Sequence, residues 1–204
     1  MLENKTILIG ITGGIAAYKI CTLVRLYKKA GANVRVVMTP SALNFVTKLT
    51  MQTLSNNEVY IENFEQEEYK PGHISLCDEA DIFVIAPATA NTISKIANGI
   101  CDNLLLSTAC AFKKPFLIAP AMNTGMWENP FVQENLSKLK KIGFNIIEPE
   151  SGFLACGVNG KGRMAEVEDI YEKTIAILSQ NQILKRKKIL ITAGGTKEKI
   201  DPVR

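Results

Sequence analysis

The sequence predicts an α/β protein whose doubly wound, mainly parallel sheet is of the Rossmann-like (flavodoxin-like) kind. Short apolar runs alternate along the chain with amphipathic stretches of helical spacing. These runs are apolar on both faces of the strand, which is typical of strands covered by helices on both sides. In such sheets ligands bind beyond the carboxyl ends of the strands. The residues that directly follow each strand are therefore where we expect a site.

The strand and helix signals alternate from the N-terminus onward. The run TILIGIT at residues 6–12 predicts a strand, and residues 15–30 carry apolar side chains at helical spacing up to Gly31, a good helix stop. A second strand follows at 33–38, and then a helix over 41–54 with Ser41 as its N-cap. Further helices are predicted at 73–79, 91–98, 103–111, 130–141 and 167–178, and further strands at 81–86, 115–119 and 144–148.

Residues 151–164 break this rhythm, because they contain four glycines and show no clear periodicity. A loop of that length in a compact domain is usually functional or disordered, and its Phe, Leu and Met residues favour a flap over a site. Polar and basic residues at 180–187 indicate a linker, and the run KILIT at 188–192, followed by two glycines, predicts a strand. We expect a single domain over 1–179, then the linker, then the first strand of a second domain within 188–204.

Composition argues against several classes of protein. The net charge of +4 is modest and the Lys and Arg residues are scattered, so the basic patch of a nucleic-acid-binding protein is missing. No uninterrupted apolar run reaches the roughly 20 residues of a membrane-spanning helix, and we see no signal peptide. The five cysteines form neither a CxxC pair nor a metal-binding spacing with histidine. We expect a cytoplasmic protein without a disulfide framework or a metal site.

A glycine turn, Gly13-Gly14, follows the first predicted strand. Glycines allow the backbone to approach a ligand, and the helix N-terminus after them offers N–H groups to a phosphate. The GxGxxG dinucleotide fingerprint is absent, and the second strand leads into Thr39 and Ser41 without an acidic residue for a ribose. The pattern favours a mononucleotide phosphate over NAD, although a tight turn with close helix packing would use the same glycines.

Polar side chains follow two later strands. Pro87 is expected to end one of them, because proline cannot donate to a strand ladder, and Thr89, Asn91 and Thr92 come directly after it. Helix capping accounts for one of these three groups. Asn123 follows the next strand, beside two methionines and the chain's only tryptophan, which could form an apolar wall. Its amide could bind a carboxylate, or it could be a turn former beside a hydrophobic plug.

Two further residues carry side chains suited to proton transfer. His73 is the only histidine, and its ordinary pKa of about 6.5 suits a general base. A lone histidine is, however, more often a surface or capping residue. Cys156 lies in the glycine-rich segment, and a thiol with an ordinary pKa of about 8.5 stays protonated at neutral pH and can act as an acid. Neither residue identifies a reaction by itself.

Together these segments resemble the flavin-dependent cysteine decarboxylases. The order is GGIAA, a histidine after Pro-Gly, PATANT, PAMNTGMW and ACGVNGKGRM, and the resemblance covers residues 5–178. The best-known member of that family acts on 4'-phosphopantothenoylcysteine (PPC), and relatives process peptide cysteines. Residues 189–204 resemble the opening of a phosphopantothenate–cysteine ligase, and the two activities are paired in a bacterial bifunctional enzyme of coenzyme A biosynthesis.

The resemblance implies a role for each matching residue. It makes His73 the base, Asn123 the residue that binds the substrate carboxylate, and Cys156 the acid. It places backbone contacts to the substrate on Phe153 and Ala155. Its contacts to FMN fall on residues that follow the predicted strands, namely Gly13, Gly14, Ile15, Thr39, Ser41, Thr89, Ala90, Asn91, Thr92 and Ala121.

The resemblance also implies the reaction and the assembly. FMN takes two electrons from the thiol side of PPC to give a thioaldehyde, CO2 leaves, and the resulting enethiol is reduced to 4'-phosphopantetheine. It implies homotrimers with flavin at the subunit contact, often assembled into dodecamers. Mg2+ and CTP are expected only for the ligase domain of a longer chain.

Two alternatives remain open. A related flavoprotein, such as a peptidyl-cysteine decarboxylase or a protein like the flavin prenyltransferases, would need FMN but a different substrate. A non-catalytic regulatory subunit would keep the flavin pocket and could lack the catalytic histidine or cysteine, and both residues are present here.

Overall fold

The computed structural model describes residues 2–62, 72–153, 157, 159–179 and 194. Its main sheet has six parallel strands in the order β3-β2-β1-β4-β5-β6. This is the doubly wound order of Rossmann-type sheets, so the predicted fold class is confirmed. The strands are β1 Thr6–Ile11, β2 Asn33–Met38, β3 Val59–Tyr60, β4 Ile82–Ala88, β5 Phe116–Pro120 and β6 Asn145–Ile146.

Helices cover both faces of this sheet. They are α1 Ile20–Lys29, α2 Lys48–Ser55, α3 Gly72–Glu79, α4 Ala90–Ala97, α5 Leu104–Ala111, α6 Thr124–Trp127, α7 Pro130–Lys141 and α8 Val167–Ser179. A separate antiparallel hairpin joins β7 Glu150–Phe153 to β8 Asn159–Arg163. Within the described residues, no helix is both long enough and apolar enough to span a membrane.

Alternate side chains of each strand enter two different cores. In β1, Ile7 and Ile9 pack with α1, α2 and α8 on one face, whereas Leu8 packs with α3, α4, α5 and α7 on the other. All three side chains are fully buried. Burial of such a side chain stabilises a fold by about 1.5–3 kcal/mol. The unbroken apolar runs of the sequence thus reflect strands that have no solvent-facing side.

The order in which strands are added to the sheet reverses between β1 and β4. From β1 the chain moves outward through β2 to β3, whereas β4 pairs with the other side of β1 and leads to β5 and β6. The connections that leave the two strands therefore go to opposite faces, with a crevice between them. The buried Thr12 hydroxyl spans the base of this crevice. It donates to the Pro87 carbonyl at 2.6 Å and accepts from the Thr89 N–H at 3.1 Å.

Two predicted helices have different beginnings in the structure. The helix predicted over 15–30 starts as a 3₁₀ turn, Ile15–Lys19, before α1 begins. The prediction of one helix over 41–54 is wrong, because Pro40–Asn44 forms a separate 3₁₀ turn. Its N-cap assignment is wrong too, since the hydroxyl of Thr47 caps α2 by accepting from Thr50 N at 3.1 Å. The apolar spacing runs through both pieces and does not reveal the break.

Proline does not end β4, contrary to the prediction. The Ala86–Pro87 peptide bond is cis, and the strand continues to Ala88, which pairs with Pro120 after a shift in register. Proline lacks an N–H to donate, so the ladder is irregular there without being interrupted.

The C-terminal third of the described chain differs most from the prediction. The strand over 144–148 is reduced to β6, and the segment 151–164 contributes the β7–β8 hairpin where an irregular loop was expected. The helices predicted at 73–79, 91–98, 103–111, 130–141 and 167–178 are confirmed to within about two residues. The linker at 180–187 and the strand at 188–192 lie outside the described residues.

Replacing Thr12 with Val should destabilise the purified chain by about 1–3 kcal/mol. Valine keeps the shape of threonine but leaves the buried Pro87 carbonyl and Thr89 N–H without this partner. Urea unfolding followed by circular dichroism measures the change. Thr53→Val is the matched control, because the Thr53 hydroxyl bonds to Leu49 O on an exposed helix face, and its effect should stay within about 0.5 kcal/mol. Equal stability of the two variants would show that the Thr12 bridge contributes nothing.

Candidate functional site

The first wall of the candidate site is the glycine turn after β1. Gly14 N donates to Thr12 O at 3.0 Å, and Ala17 N donates to Gly14 O at 2.9 Å as the 3₁₀ turn begins. A Cβ atom on Gly13 would lie 2.5 Å from the Cβ atom of Ser41. Only glycine therefore allows the connection after β1 to contact the connection after β2.

The connection after β2 is held by the same strand end. Thr39 is buried, and its N–H donates to Ile11 O at 3.0 Å. Ser41 lies in the adjacent 3₁₀ turn and is exposed. The backbone of this connection is thus anchored to β1, while the serine hydroxyl is presented to solvent beside Gly13.

The connection after β4 supplies the predicted polar cluster. Thr89 is the N-cap of α4, since its Oγ1 accepts from Thr92 N at 3.3 Å and lies 3.1 Å from Thr92 Oγ1. Ala90 and Thr92 are buried, and Asn91 is exposed. Helix capping thus involves two of the three polar residues, where the sequence suggested one.

The connection after β5 presents Asn123 at the same edge of the sheet. Ala121 N donates to Ala88 O at 3.0 Å, which ties this connection to β4. Asn123 is exposed and caps α6 with its Oδ1, which accepts from Gly125 N at 2.8 Å. Trp127 is buried in the core that contains α4, α5 and α7. It therefore belongs to the core and does not form the apolar wall that was predicted.

The β7–β8 hairpin packs directly on the Asn123 connection. Met122 N donates to Gly162 O at 3.0 Å. A Cβ atom on Gly162 would overlap the Met122 carbonyl oxygen, and Gly162 has a φ of +146°, which side chains disfavour. A Cβ atom on Gly160 would overlap the Thr124 hydroxyl. Two of the four glycines therefore allow the hairpin to lie against the site, which supports the prediction that this segment covers it.

Charged residues link the hairpin to the glycine-turn side of the site. Lys19 Nζ lies 3.0 Å from Glu166 Oε2, and Arg163 pairs with the same carboxylate. Arg163 Nη2 also lies 3.4 Å from Glu150 Oε2 on β7. These side chains are partly exposed, so we expect the pairs to orient the elements more than to stabilise them.

A cavity of about 790 Å³ lies where these connections meet. Seven of the predicted site residues line it, from the connections after β1, β4 and β5 and from the end of β7: Gly13, Gly14, Ile15, Thr89, Ala121, Asn123 and Phe153. Thr39, Ser41, Ala90, Asn91 and Thr92 are not among the lining residues, although each belongs to a connection at this edge.

The remaining predicted residues are only partly described. His73 lies near the start of α3, and because α3 leads directly into β4, that end of the helix is on the side of the strands' carboxyl ends. Its side chain lies outside the described part of the structure, as do Ala155 and Cys156.

Two charged residues that line the cavity, Lys19 and Arg163, were not predicted. The sequence did carry a signal for each. Arg163 belongs to the ACGVNGKGRM segment, and Lys19 is the one charged residue in the apolar stretch 15–24. Tyr18 and Met126 also line the cavity and are about half exposed.

A family model described as Flavoprotein matches residues 1–179. The chain belongs to the flavoprotein family. Over its full length it is 47% identical to the coenzyme A biosynthesis bifunctional protein CoaBC of Bacillus subtilis (strain 168), and the match spans 51% of that protein. The chain thus spans about half the length of the curated relatives it matches.

Solved structures of other flavoproteins are also similar. A PPC decarboxylase variant complexed with pantothenoylaminoethenethiol superimposes with a TM-score of 0.76 and is 37% identical, covering 84% of this chain and 97% of that one. The FMN-dependent cysteine decarboxylase SpaF superimposes with a TM-score of 0.78 and is 29% identical, covering 88% of this chain and 98% of that one.

The described residues fit the flavin expected of a flavoprotein. The cavity volume is within the roughly 300–1,000 Å³ of small-molecule and cofactor sites. Its wall combines backbone at Gly13 and Gly14 with the apolar side chains of Ile15 and Met122, which suits a cofactor that has a flat ring system and a polar tail. The N-terminus of α4, capped by Thr89, adds backbone N–H groups at the same edge.

Replacing Gly13 with Ala should lower the stability of the flavin-free protein by about 1–3 kcal/mol, because the new methyl group overlaps Ser41. For a chain of this size we expect Tm to fall by roughly 2–10 °C in calorimetry. Gly14→Ala is the control. Gly14 has φ −150° and ψ 154°, and its Cβ atom would lie 3.7 Å from Thr89 Cγ2, so its Tm should not fall. The account of this turn is wrong if both variants lose the same stability.

Proposed function

We propose that this chain is an FMN-dependent decarboxylase that converts PPC to 4'-phosphopantetheine in coenzyme A biosynthesis. The observation that carries the proposal is the cavity at the β1–β4 crevice. It brings together the glycine turn, Thr89 and Asn123, which come from three separate connections. The likeness to the PPC decarboxylase variant, which covers nearly all of that protein, supports the choice of substrate. The absence of a dinucleotide fingerprint in the sequence supports FMN over NAD.

On the cofactor side, Gly13, Gly14, Ile15, Thr89 and Ala121 would hold FMN, since all five line the cavity. The N–H groups of the glycine turn and of the start of α4 would donate to its phosphate. The five other predicted contacts would complete this side: Ala90, Asn91 and Thr92 from the connection after β4, and Thr39 and Ser41 from the connection after β2. When bound, FMN supplies the two-electron acceptor that side chains lack.

On the substrate side, three residues would act on different parts of PPC. Asn123 would bind the carboxylate through its amide nitrogen, because the bond from Gly125 N to Oδ1 fixes the orientation of the amide. His73 would take the thiol proton before CO2 is lost, and Cys156 would return a proton to the carbon skeleton afterwards. Phe153 lines the cavity at the end of β7, which supports a role for this segment and for Ala155 in backbone contacts to the substrate.

We also propose a homotrimer in which a second subunit completes the cavity, with dodecamers as the larger assembly. Four apolar residues at the cavity support this arrangement, since Ile15, Tyr18, Met126 and Phe153 have exposed fractions of 58%, 58%, 48% and 74%. Exposed apolar patches of this kind mark interaction sites. Ligase activity, with Mg2+ and CTP, would belong to a longer chain that continues the domain predicted to start within 188–204.

A peptidyl-cysteine decarboxylase is the second candidate. The likeness to SpaF, an FMN-dependent cysteine decarboxylase that also matches along almost its whole length, favours a cysteine substrate over the prenyltransferase-like alternative. The same three residues would serve either substrate, because both present a cysteine carboxylate and thiol. Parallel assays with PPC and with a peptide that ends in cysteine distinguish the two candidates.

Asn123→Asp should keep the flavin and lose decarboxylation. Loss of a hydrogen bond to a charged group costs about 1.5–3 kcal/mol, so we expect kcat/KM to fall by roughly 10- to 150-fold. Repulsion between two carboxylates adds to that loss. Asp is also a good N-cap, so α6 should persist. Measuring PPC turnover alongside flavin absorbance tests the prediction.

The matched control is Asn129→Asp. Asn129 caps α7 by accepting from Phe131 N at 2.9 Å, and it does not line the cavity. It should keep the parent rate. If Asn123→Asp also keeps the parent rate while binding FMN, Asn123 does not bind the carboxylate.

Cys156→Ser and His73→Asn should stop the reaction at opposite stages. A serine hydroxyl is a much weaker acid than a thiol, so Cys156→Ser should release CO2 and then stop, leaving a bleached solution under anaerobic conditions. His73→Asn should stop before CO2 is lost and stay yellow. Each variant should form saturated 4'-phosphopantetheine about 10²–10⁴-fold more slowly.

Anaerobic absorbance with product masses measures both stages. If the flavin of His73→Asn is bleached when substrate is added, His73 is not the base that acts before CO2 is lost. Product formation by Cys156→Ser at the parent rate would exclude Cys156 as the acid.

A further inference from the structure

A second cavity lies at the amino ends of the strands, on the opposite side of the sheet from the carboxyl ends where the candidate flavin site is. It has a volume of about 210 Å³ and is lined by residues of α5, by the ends of α4 and α7 and by the starts of β5 and β6. Phe116 is the first residue of β5, and Phe144 immediately precedes β6, so this is the edge of the strands' amino ends. The two cavities share no lining residue.

Two cysteines meet beside this second cavity. Cys110, near the end of α5, forms part of its wall. Cys110 is close enough to Cys101 to raise the pKa of its thiol. Ser107, one helical turn before Cys110, donates from its hydroxyl to Cys101 O at 3.3 Å. The segment that carries Cys101 is thus folded back along the face of α5 that carries Cys110, and both thiols are exposed.

The segment that carries Cys101 is exposed, and it is tied to α4 by the ion pair between Lys95 and Asp102. Cys101 Sγ donates to Gly99 O at 3.5 Å, and a Cβ atom on Gly99 would meet no heavy atom within 4 Å. A disulfide requires the two sulfur atoms to approach to about 2.05 Å. Disulfide formation would therefore require this exposed segment, which ends at the Asn103 cap of α5, to move towards Cys110.

Two other described cysteines differ in their surroundings. Cys21 and Cys77 are half-buried, and burial raises the pKa of both thiols. Cys77 Sγ donates to Thr108 O at 3.5 Å.

For Cys101 the pKa is also raised, by burial first and then by the hydrogen bond with Cys110 and the charge of Asp102. The raised pKa leaves little Cys101 thiolate at neutral pH, so we expect thiol–disulfide exchange to become faster in mildly alkaline solution.

We propose that Cys101 and Cys110 form a dithiol modification site that closes to an intramolecular disulfide by exchange with small-molecule disulfides. One thiolate attacks the disulfide R–S–S–R, forms a mixed disulfide and releases R–S⁻. The second thiolate then attacks the mixed disulfide, forms the Cys101–Cys110 bond and releases a second R–S⁻. The two cysteines lose two electrons and two protons, and the small disulfide gains both as two thiols. No flavin is needed for this exchange.

The sequence provides a direct readout, because cleavage after Lys95 and Lys113 yields one peptide, 96–113, that contains both cysteines. FMN-loaded protein is incubated with equimolar glutathione disulfide at mildly alkaline pH, alkylated and digested. We expect peptide 96–113 to be lighter by two hydrogens and to carry no alkyl group. Two alkyl groups, or two separate glutathione adducts on this peptide, would contradict the proposal.

Single substitutions separate the two exchange steps. Cys110→Ser should accumulate a mixed disulfide on Cys101, because the second attack has no thiol. Cys101→Ser should do the same on Cys110. Cys21→Ser and Cys77→Ser are matched controls, and in both the 96–113 disulfide should form at the parent rate. If either control abolishes the 96–113 disulfide, the exchange passes through the replaced cysteine, and Cys101 and Cys110 do not form the bond by themselves as proposed.

Phenylarsine oxide tests the same geometry without oxidation. Two thiols replace its oxygen, which leaves as water, and form two sulfur–arsenic bonds. The parent protein should retain an adduct on peptide 96–113 that survives excess glutathione and is removed by a dithiol. Cys101→Ser and Cys110→Ser should each lose retention at this peptide by at least tenfold. Equal retention in either variant would show that the two thiols do not act together.

Discussion

The buried hydroxyl of Thr12 joins the two strands between which the sheet changes direction. It donates to the Pro87 carbonyl and accepts from the Thr89 N–H, so the end of β1 and the end of β4 are held at a fixed separation. The connections that follow must diverge, because α1 packs on one face of the sheet and α4 on the other. The crevice that results is a consequence of topology, and the Thr12 bonds extend the pairing of β1 with β4 to its base.

The remaining walls of the site depend on glycines that allow backbone to approach backbone. Gly13 brings the connection after β2 against that after β1, and Gly160 and Gly162 bring the hairpin against the Asn123 connection. A side chain at any of the three would separate the elements by at least a methyl group. Close backbone packing of this kind holds in place the elements that carry the side chains lining the cavity.

Much of this arrangement could be predicted from the sequence because it depends on local patterns. Unbroken apolar runs identify buried strands, and their order along the chain places Gly13, Thr89 and Asn123 at one edge of the sheet. The resemblance to cysteine decarboxylases then assigned roles that composition and spacing leave open. Seven of the predicted site residues do line one cavity, whereas the roles of His73 and Cys156 stay predictions.

What could not be predicted depends on contacts between distant parts of the chain. The β7–β8 hairpin pairs residues of no clear periodicity, and it is held in place by its packing on Met122 and Thr124. The Pro40–Asn44 turn, which is separated from α2 by a break, carries the contact of Ser41 with Gly13. Trp127 is a large aromatic residue next to Asn123, and the sequence therefore suggested a wall of the site. It lies in the core, because α6 lies between the Asn123 connection and α7. The apolar character of a residue alone does not show whether it lines a cavity or lies in the core.

The measurement that tests the central claim most directly is the balance of carbon and electrons in one anaerobic reaction. The chain is loaded with FMN and mixed with excess PPC, and the CO2 released, the products formed and the final flavin absorbance are measured together. A decarboxylase at the β1–β4 crevice should release one CO2 for each 4'-phosphopantetheine formed and should end with its flavin oxidised. Oxidation of PPC without CO2 release, or flavin that stays reduced after the substrate is consumed, would contradict the account.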